Sequence, residues 1–352
     1  MRAKPSNTEL DKNVRVMTSA ALAKKLNVSQ ATVSLALNDN PIVNSETRRR
    51  VKEAALHYNY SPNRIARAMR TGKTRTLGII IPNVKISFFP DIVNMIETEA
   101  KQHGIQCLLC QSHSSFDVLE TEIKTLIEQR VDGLILAPVN NFDETVLYQQ
   151  LLKSGIPTVF CDYELRGTES SSAVNDNIEI GRLATQHLVE LGHRQIAFFQ
   201  GYHVSRMSQS RCQGYRETLE KAQIPYSEKL VLGFDEHGGA IDGASAITKL
   251  IDDKIPFTAI VAVSDTIAIS AMKEALARGL RVPEDISIIG AANLEVSALV
   301  SPGLTTIDQH PEQIGKEAIR LLLEKIESPS VASKSVVVPS SLLLRQSTAR
   351  IE

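Results

Sequence analysis

From Thr76 onward the chain repeats one pattern: a short apolar run of strand length, then an amphipathic stretch of helix length. Leu77 to Ile81, Ile105 to Leu109, Gly133 to Ala137 and Pro157 to Phe160 read as strands, with helices at about Phe89 to His103, Asp117 to Gln129 and Phe142 to Ser154. Strands that are apolar throughout, rather than alternating, need cover on both faces, which means a parallel sheet with helical crossovers. The pattern restarts after about Asp162. Strands near Gln195 to Phe199, Lys229 to Leu232, Thr258 to Val263 and Ile286 to Gly290 are separated by helices near Ile178 to Leu191, Gln209 to Ala222, Ala240 to Asp252 and Thr266 to Arg278. The expected body is therefore α/β: two doubly wound parallel-sheet lobes over 76–352, lobe one about 76–162 and 293–326, lobe two about 163–292 and 327–352. Such sheets bind ligands at the carboxyl ends of their strands, so the cleft between lobes is the expected small-molecule site.

The first 75 residues have a different texture. They hold 15 Lys+Arg against 5 Asp+Glu, a net of +10, whereas the other 277 hold 24 against 35, a net of −11. The overall charge of −1 hides this asymmetry, and a basic head on an acidic body is what phosphate neutralisation at one end requires. Within it, residues 16–61 read as a small all-α helix-turn-helix head. Thr18 suits an N-cap, Ala20 to Lys25 are helix formers, and Leu26-Asn27-Val28 make a turn in which Asn tolerates the left-handed conformation. Ser29 then caps a second helix, leaving Gln30, Ala31, Ser34 and Leu35 on its outer face. Residues 62–75 form a basic linker with a short helical pattern after Pro62, and residues 1–15 read as a disordered leader.

Other classes fall away. No run of 18 or more apolar residues exists, and Met1 to Val14 is polar, so a soluble cytoplasmic, nucleoid-associated protein without membrane contact is expected. The four cysteines, Cys107, Cys110, Cys161 and Cys212, are too scattered for a disulfide framework. Cys107-Leu108-Leu109-Cys110 matches C-x-x-C but lies in an apolar run that reads as a buried strand, against a redox or metal role. No G-x-S-x-G, P-loop or G-x-G-x-x-G occurs and no His stands at nucleophile or metal spacing, so no enzyme, metal or cofactor is expected.

Over essentially its whole length the chain resembles the LacI/GalR family of bacterial transcription regulators. The head carries Val28-Ser29, Ala31-Thr32-Val33-Ser34, Asn38, Val43, Thr47-Arg48, Val51, Tyr60, Pro62-Asn63 and Ala66-Arg67. The body carries Gly78 to Pro82, Arg130-Val131-Asp132-Gly133, Leu191-Gly192-His193-Arg194, Arg211 with Gly214-Tyr215, Ser264-Asp265, Gly279 to Ser287 and Leu304 to Ile307. The resemblance implies a homodimer whose heads read half-sites of a near-palindromic operator in double-stranded DNA. It also implies lobes of periplasmic-binding-protein type I architecture, holding an effector that controls operator affinity.

The resemblance also implies roles for particular residues. Gln30, Ala31 and Leu35 occupy base-reading positions: Gln pairs bidentately with adenine, while Ala31 and Leu35 offer only apolar contact, such as to a thymine methyl. Many relatives carry Arg at Leu35, and its loss removes a guanine contact of about 1–3 kcal/mol. Thr18, Ser29, Thr32, Ser34 and Asn38 suit phosphate oxygens. Asn63, Arg64, Ala66 and Met69 correspond to a hinge helix, with Met69 as the minor-groove wedge. For the effector, Phe88, Phe89, Asp162, Arg211, Asp265 and Asn293 are implicated. Carboxylates accepting hydroxyls, a planar guanidinium fork and an aromatic face suit a sugar or glycoside. After the strand ending at Gly290, relatives have an aromatic and acidic residues where this chain has Ala291-Ala292-Asn293. The alternatives are a purine- or nucleoside-responsive corepressor-type regulator and a periplasmic-type binding module without gene regulation.

Overall fold

The computed structural model describes residues 17–61, 68, 72–138, 144–201, 205–233 and 242–351. Two compact units result, one up to Thr74 and one from Arg75 to Glu352. The first unit contains α1 (Ser19–Leu26), α2 (Gln30–Leu37) and α3 (Ser45–His57) around a small core of Leu22, Val33, Ala36, Val43, Val51 and Ala55. The leader 1–15, and Asn63, Arg64, Ala66 and Met69 of the expected hinge, lie outside the described residues.

The second unit holds two six-stranded sheets. In chain order its strands are β1 (Thr76–Ile81), β2 (Gln106–Gln111), β3 (Gly133–Leu136), β4 (Thr158–Cys161), β5 (Ser171–Asn175), β6 (Ile196–Phe199), β7 (Val231–Leu232), β8 (Ala259–Ala262), β9 (Ser287–Ala291), β10 (Thr305–Asp308), β11 (Ser335–Val338) and β12 (Ser341–Leu343). The helices are α4 (Phe88–Gln102), α5 (Phe116–Glu128), α6 (Glu144–Ser154), α7 (Asn177–Glu190), α8 (Arg206–Lys221), α9 (Gly243–Asp252), α10 (Asp265–Ala277), α11 (Glu295–Leu299) and α12 (Pro311–Glu327). Sheet order is β11-β5-β4-β3-β1-β2 in lobe one and β12-β10-β9-β8-β6-β7 in lobe two, parallel apart from the antiparallel β10–β12 pair. Each sheet carries an apolar cluster on both faces, as its unbroken strands require.

The lobe boundaries differ from those expected. β5 belongs to the first sheet, β10 to the second and β11 to the first, so the chain crosses between lobes three times: after Asn175, after Asp308, and between Val338 and Ser341. The pattern Ser171-Ser172-Ala173-Val174-Asn175 lacks a strand's apolar signature because its buried polar side chains find partners far along the chain. The Ser172 hydroxyl meets that of Ser335 at 2.9 Å, and Asn175 donates to two carbonyls. A second correction concerns the C-x-x-C run. It lies on β2, with Leu108 and Leu109 39% and 41% exposed rather than buried, because β2 is an edge strand among the described residues. Burial of the Cys107 and Cys110 thiols still pushes them up to about 11 and about 12, so they are held protonated.

Candidate functional site

In the head, local sequence builds the helix-turn-helix directly. The Thr18 hydroxyl accepts from the Ala21 N–H at 3.2 Å, Asn27 closes α1 in the left-handed region at φ 55°, and the Ser29 hydroxyl accepts from the Thr32 N–H at 2.9 Å. Val28 and Leu35 pack against the core from its rim, which leaves Gln30 and Ala31 exposed at the start of α2. Leu35 is thus half-buried, a residue that supports the head as well as facing outward. Ser29 and Thr32 share a 2.9 Å hydroxyl contact, and the Asn38 amide donates to the Ser34 carbonyl at 2.6 Å. On α3, Arg48 donates to the carbonyls of Val43 and Asn40, clasping the preceding loop, and Arg49 lies between Glu46 and Glu53.

In the body, Arg211 is placed by a close helix pair. A Cβ on Gly181 would lie 2.0 Å from the Arg211 carbonyl oxygen, and one on Gly214 would lie 2.0 Å from that of Ile178, so α7 and α8 pack backbone to backbone. The guanidinium of Arg211, 4% exposed, then reaches the carboxyl edge of the second sheet. It donates to the carbonyls of Val263 (2.5 Å) and Ala291 (3.3 Å), to Asn177 Oδ1 (2.9 Å) and to Gln309 Oε1 (3.0 Å). Burial lowers it to about 10, with the charges of Asp162 and Asp265 acting the other way.

Asp162 follows β4 at the carboxyl edge of the first sheet, with a left-handed backbone at φ 53°. Its surface is only partly closed off, yet the surrounding protein strips enough water to push its carboxyl up to about 6, against the opposing pull of Arg211. Among the described residues none donates a hydrogen bond to that carboxyl. Asp162, Arg211 and Asp265 are therefore brought within electrostatic reach, from two sheets.

The other candidates are engaged within the protein. Asp265 is 0% exposed: its Oδ2 accepts from the Leu294 N–H (2.9 Å) and the Ser297 hydroxyl (2.5 Å), and its Oδ1 from the Thr306 hydroxyl (2.5 Å). It ties α10 to α11 and β10, which corrects the expectation of a carboxylate open to ligand. Asn293 is likewise tied, its amide donating to Asp308 and its carbonyl accepting from Arg345 at 2.7 Å. Phe88 and Phe89 begin α4 and sit in the lobe-one core, 8% and 6% exposed, their rings edge to face at 5.5 Å. Gln309 and Asn177, which position Arg211, have no signal in sequence because their partners lie 98 and 34 positions away. Among the described residues no cluster of His, Cys, Asp and Glu could hold a metal, and no helix is long and apolar enough to cross a membrane.

A helix-turn-helix head with an exposed α2 start, ahead of a two-lobed α/β body with a charged group at each sheet's carboxyl edge, defines a two-domain DNA-binding regulator. Residues 21–63 match the model for bacterial regulatory proteins of the lacI family, and residues 74–346 that for periplasmic binding proteins and the sugar binding domain of the LacI family. The chain belongs to the lacI family of DNA-binding transcriptional repressors. It is 31% identical over 334 residues to the HTH-type transcriptional repressor PurR of Actinobacillus pleuropneumoniae serotype 3 (strain JL03), covering 94% of this chain and 98% of the relative. The PurR of Vibrio cholerae serotype O1 (strain M66-2) is 32% identical over 309 residues, 87% of this chain and 90% of that one. Among solved structures, the Lac repressor bound to ONPG in the repressed state superposes with a TM-score of 0.83 at 27% identity, covering 95% of this chain and 100% of that one. A complex of the transcriptional regulator CelR with cellobiose gives 0.70 at 30%, covering 94% and 99%.

Proposed function

We propose that this protein is a cytoplasmic homodimeric repressor that binds a near-palindromic operator and is controlled by a small polar effector held between its lobes. The observation that carries the reading is the pairing of an exposed, Ser29-capped α2 start, presenting Gln30 and Ala31, with an Asp162 carboxyl near Arg211 at the lobe junction to which none of the described residues donates a hydrogen bond. Gln30 and Ala31 read base edges, Ser29, Thr32, Ser34 and Asn38 lie beside the backbone, and the linker carrying Asn63, Arg64, Ala66 and Met69 enters the minor groove. In the body, Asp162 and Arg211 contact the effector, Phe88 and Phe89 wall the cleft, and Asp265 and Asn293 support its floor.

A neutral polyhydroxylated effector, a sugar or glycoside, is favoured by Asp162, which accepts hydroxyl hydrogen bonds. A relative named for cellobiose in its complex supports it. A purine or nucleoside corepressor is the second reading, favoured by the relatives named PurR. Selection of bound sequences from a random duplex pool, alone and with sugar or purine pools, separates them. A palindrome lost on adding sugars establishes an inducible repressor, one enriched only with purines establishes the corepressor, and no palindrome under any condition rejects operator binding.

A further inference from the structure

Among the described residues, one side chain of lobe two is held by a nest of lobe-one groups. Arg206 opens α8, which follows β6 and so begins at the carboxyl edge of the second sheet; Glu144 opens α6, which follows β3 at the carboxyl edge of the first. The Arg206 guanidinium pairs with Glu144 Oε1, donates to the Glu164 carbonyl oxygen at 3.0 Å, and lies 5.0 Å from the centre of the Tyr163 ring. Glu144 is fixed from its own lobe, accepting from the Tyr163 hydroxyl at 2.7 Å and from the Arg166 N–H at 2.8 Å. The Arg206 and Glu144 side chains are 32% and 17% exposed. A rim ion pair in open solvent is worth little, but a planar guanidinium with a carboxylate, a carbonyl and an aromatic face in one half-buried nest is a directional contact.

We propose that Arg206 is a lock across the cleft mouth, which closes the lobes in the absence of ligand and has to be released for a ligand to enter or leave. The proposal rests on the reading of the lobe junction as the effector cleft, but needs no knowledge of the effector. Helices α6 and α8 both follow strands at their carboxyl ends, so a contact between their first residues joins the two lobes. The lock is electrostatic in part, so its grip weakens with salt, whereas the crossover hydrogen bonds of Asn175 to Gln309 and Val338 do not depend on charge.

The test is the distance between nitroxides placed through non-natural amino acids at Gln149 on α6 and Gln213 on α8, read by double electron–electron resonance on the full-length protein without effector. At 50 mM salt the wild type is expected to give one dominant short distance. Arg206→Ala and Glu144→Ala are each expected to raise the long-distance population at least threefold, and the double variant no further than either alone. Raising salt is expected to move the wild type toward Arg206→Ala while leaving that variant unchanged. An unaltered distribution in Arg206→Ala, or additive effects in the double variant, overturns the lock. Arg206→Lys keeps the charge and loses the fork, so it guards against a folding defect: an intermediate distribution in a variant with wild-type circular dichroism supports the lock, an unchanged one overturns it. If no sugar or purine binds at all, the effector reading fails while this distance change still stands or falls by itself.

Discussion

Single residues carry two separable predictions. Gln30 is exposed at the start of α2. Gln30→Ala is therefore expected to relax preference at one half-site position by about 1–3 kcal/mol, with the melting temperature unchanged. Competition binding against single-base operator variants checks it, and a uniform loss over all sequences would show that Gln30 is no reader. Asp162 gives a pH signature. Its folded value near 6 lies above the ordinary 3.8, so between about pH 4 and 6 the folded protein retains a proton that the unfolded chain has released. Stability contributed by this site is present below that window and is lost as pH rises through it. Asp162→Asn is expected to remove the slope and to gain about 1–2 kcal/mol at pH 7.5, less than the full shift implies because the carboxyl keeps partial solvent access. Urea unfolding from pH 4.5 to 7.5 measures it. A ligand hydroxyl donating to the ionised carboxylate binds more tightly above pH 6.

At the scale of elements, the α7–α8 pair decides where Arg211 sits. Gly181 and Gly214 let the two backbones touch, and a methyl at either would meet a carbonyl oxygen that cannot swing aside. Gly214→Ala is expected to cost about 3 kcal/mol, since overpacking here moves backbone rather than a flexible side chain. Differential scanning calorimetry reads the loss, and a neutral result would mean the helices separate easily. The elements also show what sequence reasoning could recover. The first two helices of the head were legible, because Thr18, Asn27 and Ser29 act on neighbours three or four residues away. Most strands and helices of the body were legible from apolar runs. β5 was not: its serines and Asn175 are buried among partners more than 130 positions distant. β2 was read as buried because an apolar run cannot report whether another strand flanks it.

At the scale of the whole molecule, the proposed function is a coupling between two sites. If an effector shifts operator affinity by some factor, operator DNA has to shift effector affinity by the same factor. Paired titrations on the purified protein test that equality, and unequal factors reject simple two-state coupling. The tandem lobes, the basic head and its first two helices were determined by the sequence itself, since they follow from local propensity, unbroken apolar runs and the placement of charge. Which lobe owns β5, β10 and β11, and which candidate groups are saturated by hydrogen bonds within the protein, was decided only by tertiary structure. Hydrogen-bond saturation depends on partners brought from other strands: Ser297 and Thr306 close Asp265, and Arg345 and Asp308 close Asn293, while among the described residues none donates to the Asp162 carboxyl. No residue type announces in sequence whether its polar atoms will find partners inside the fold, because those partners are chosen by packing over distances that no local pattern encodes.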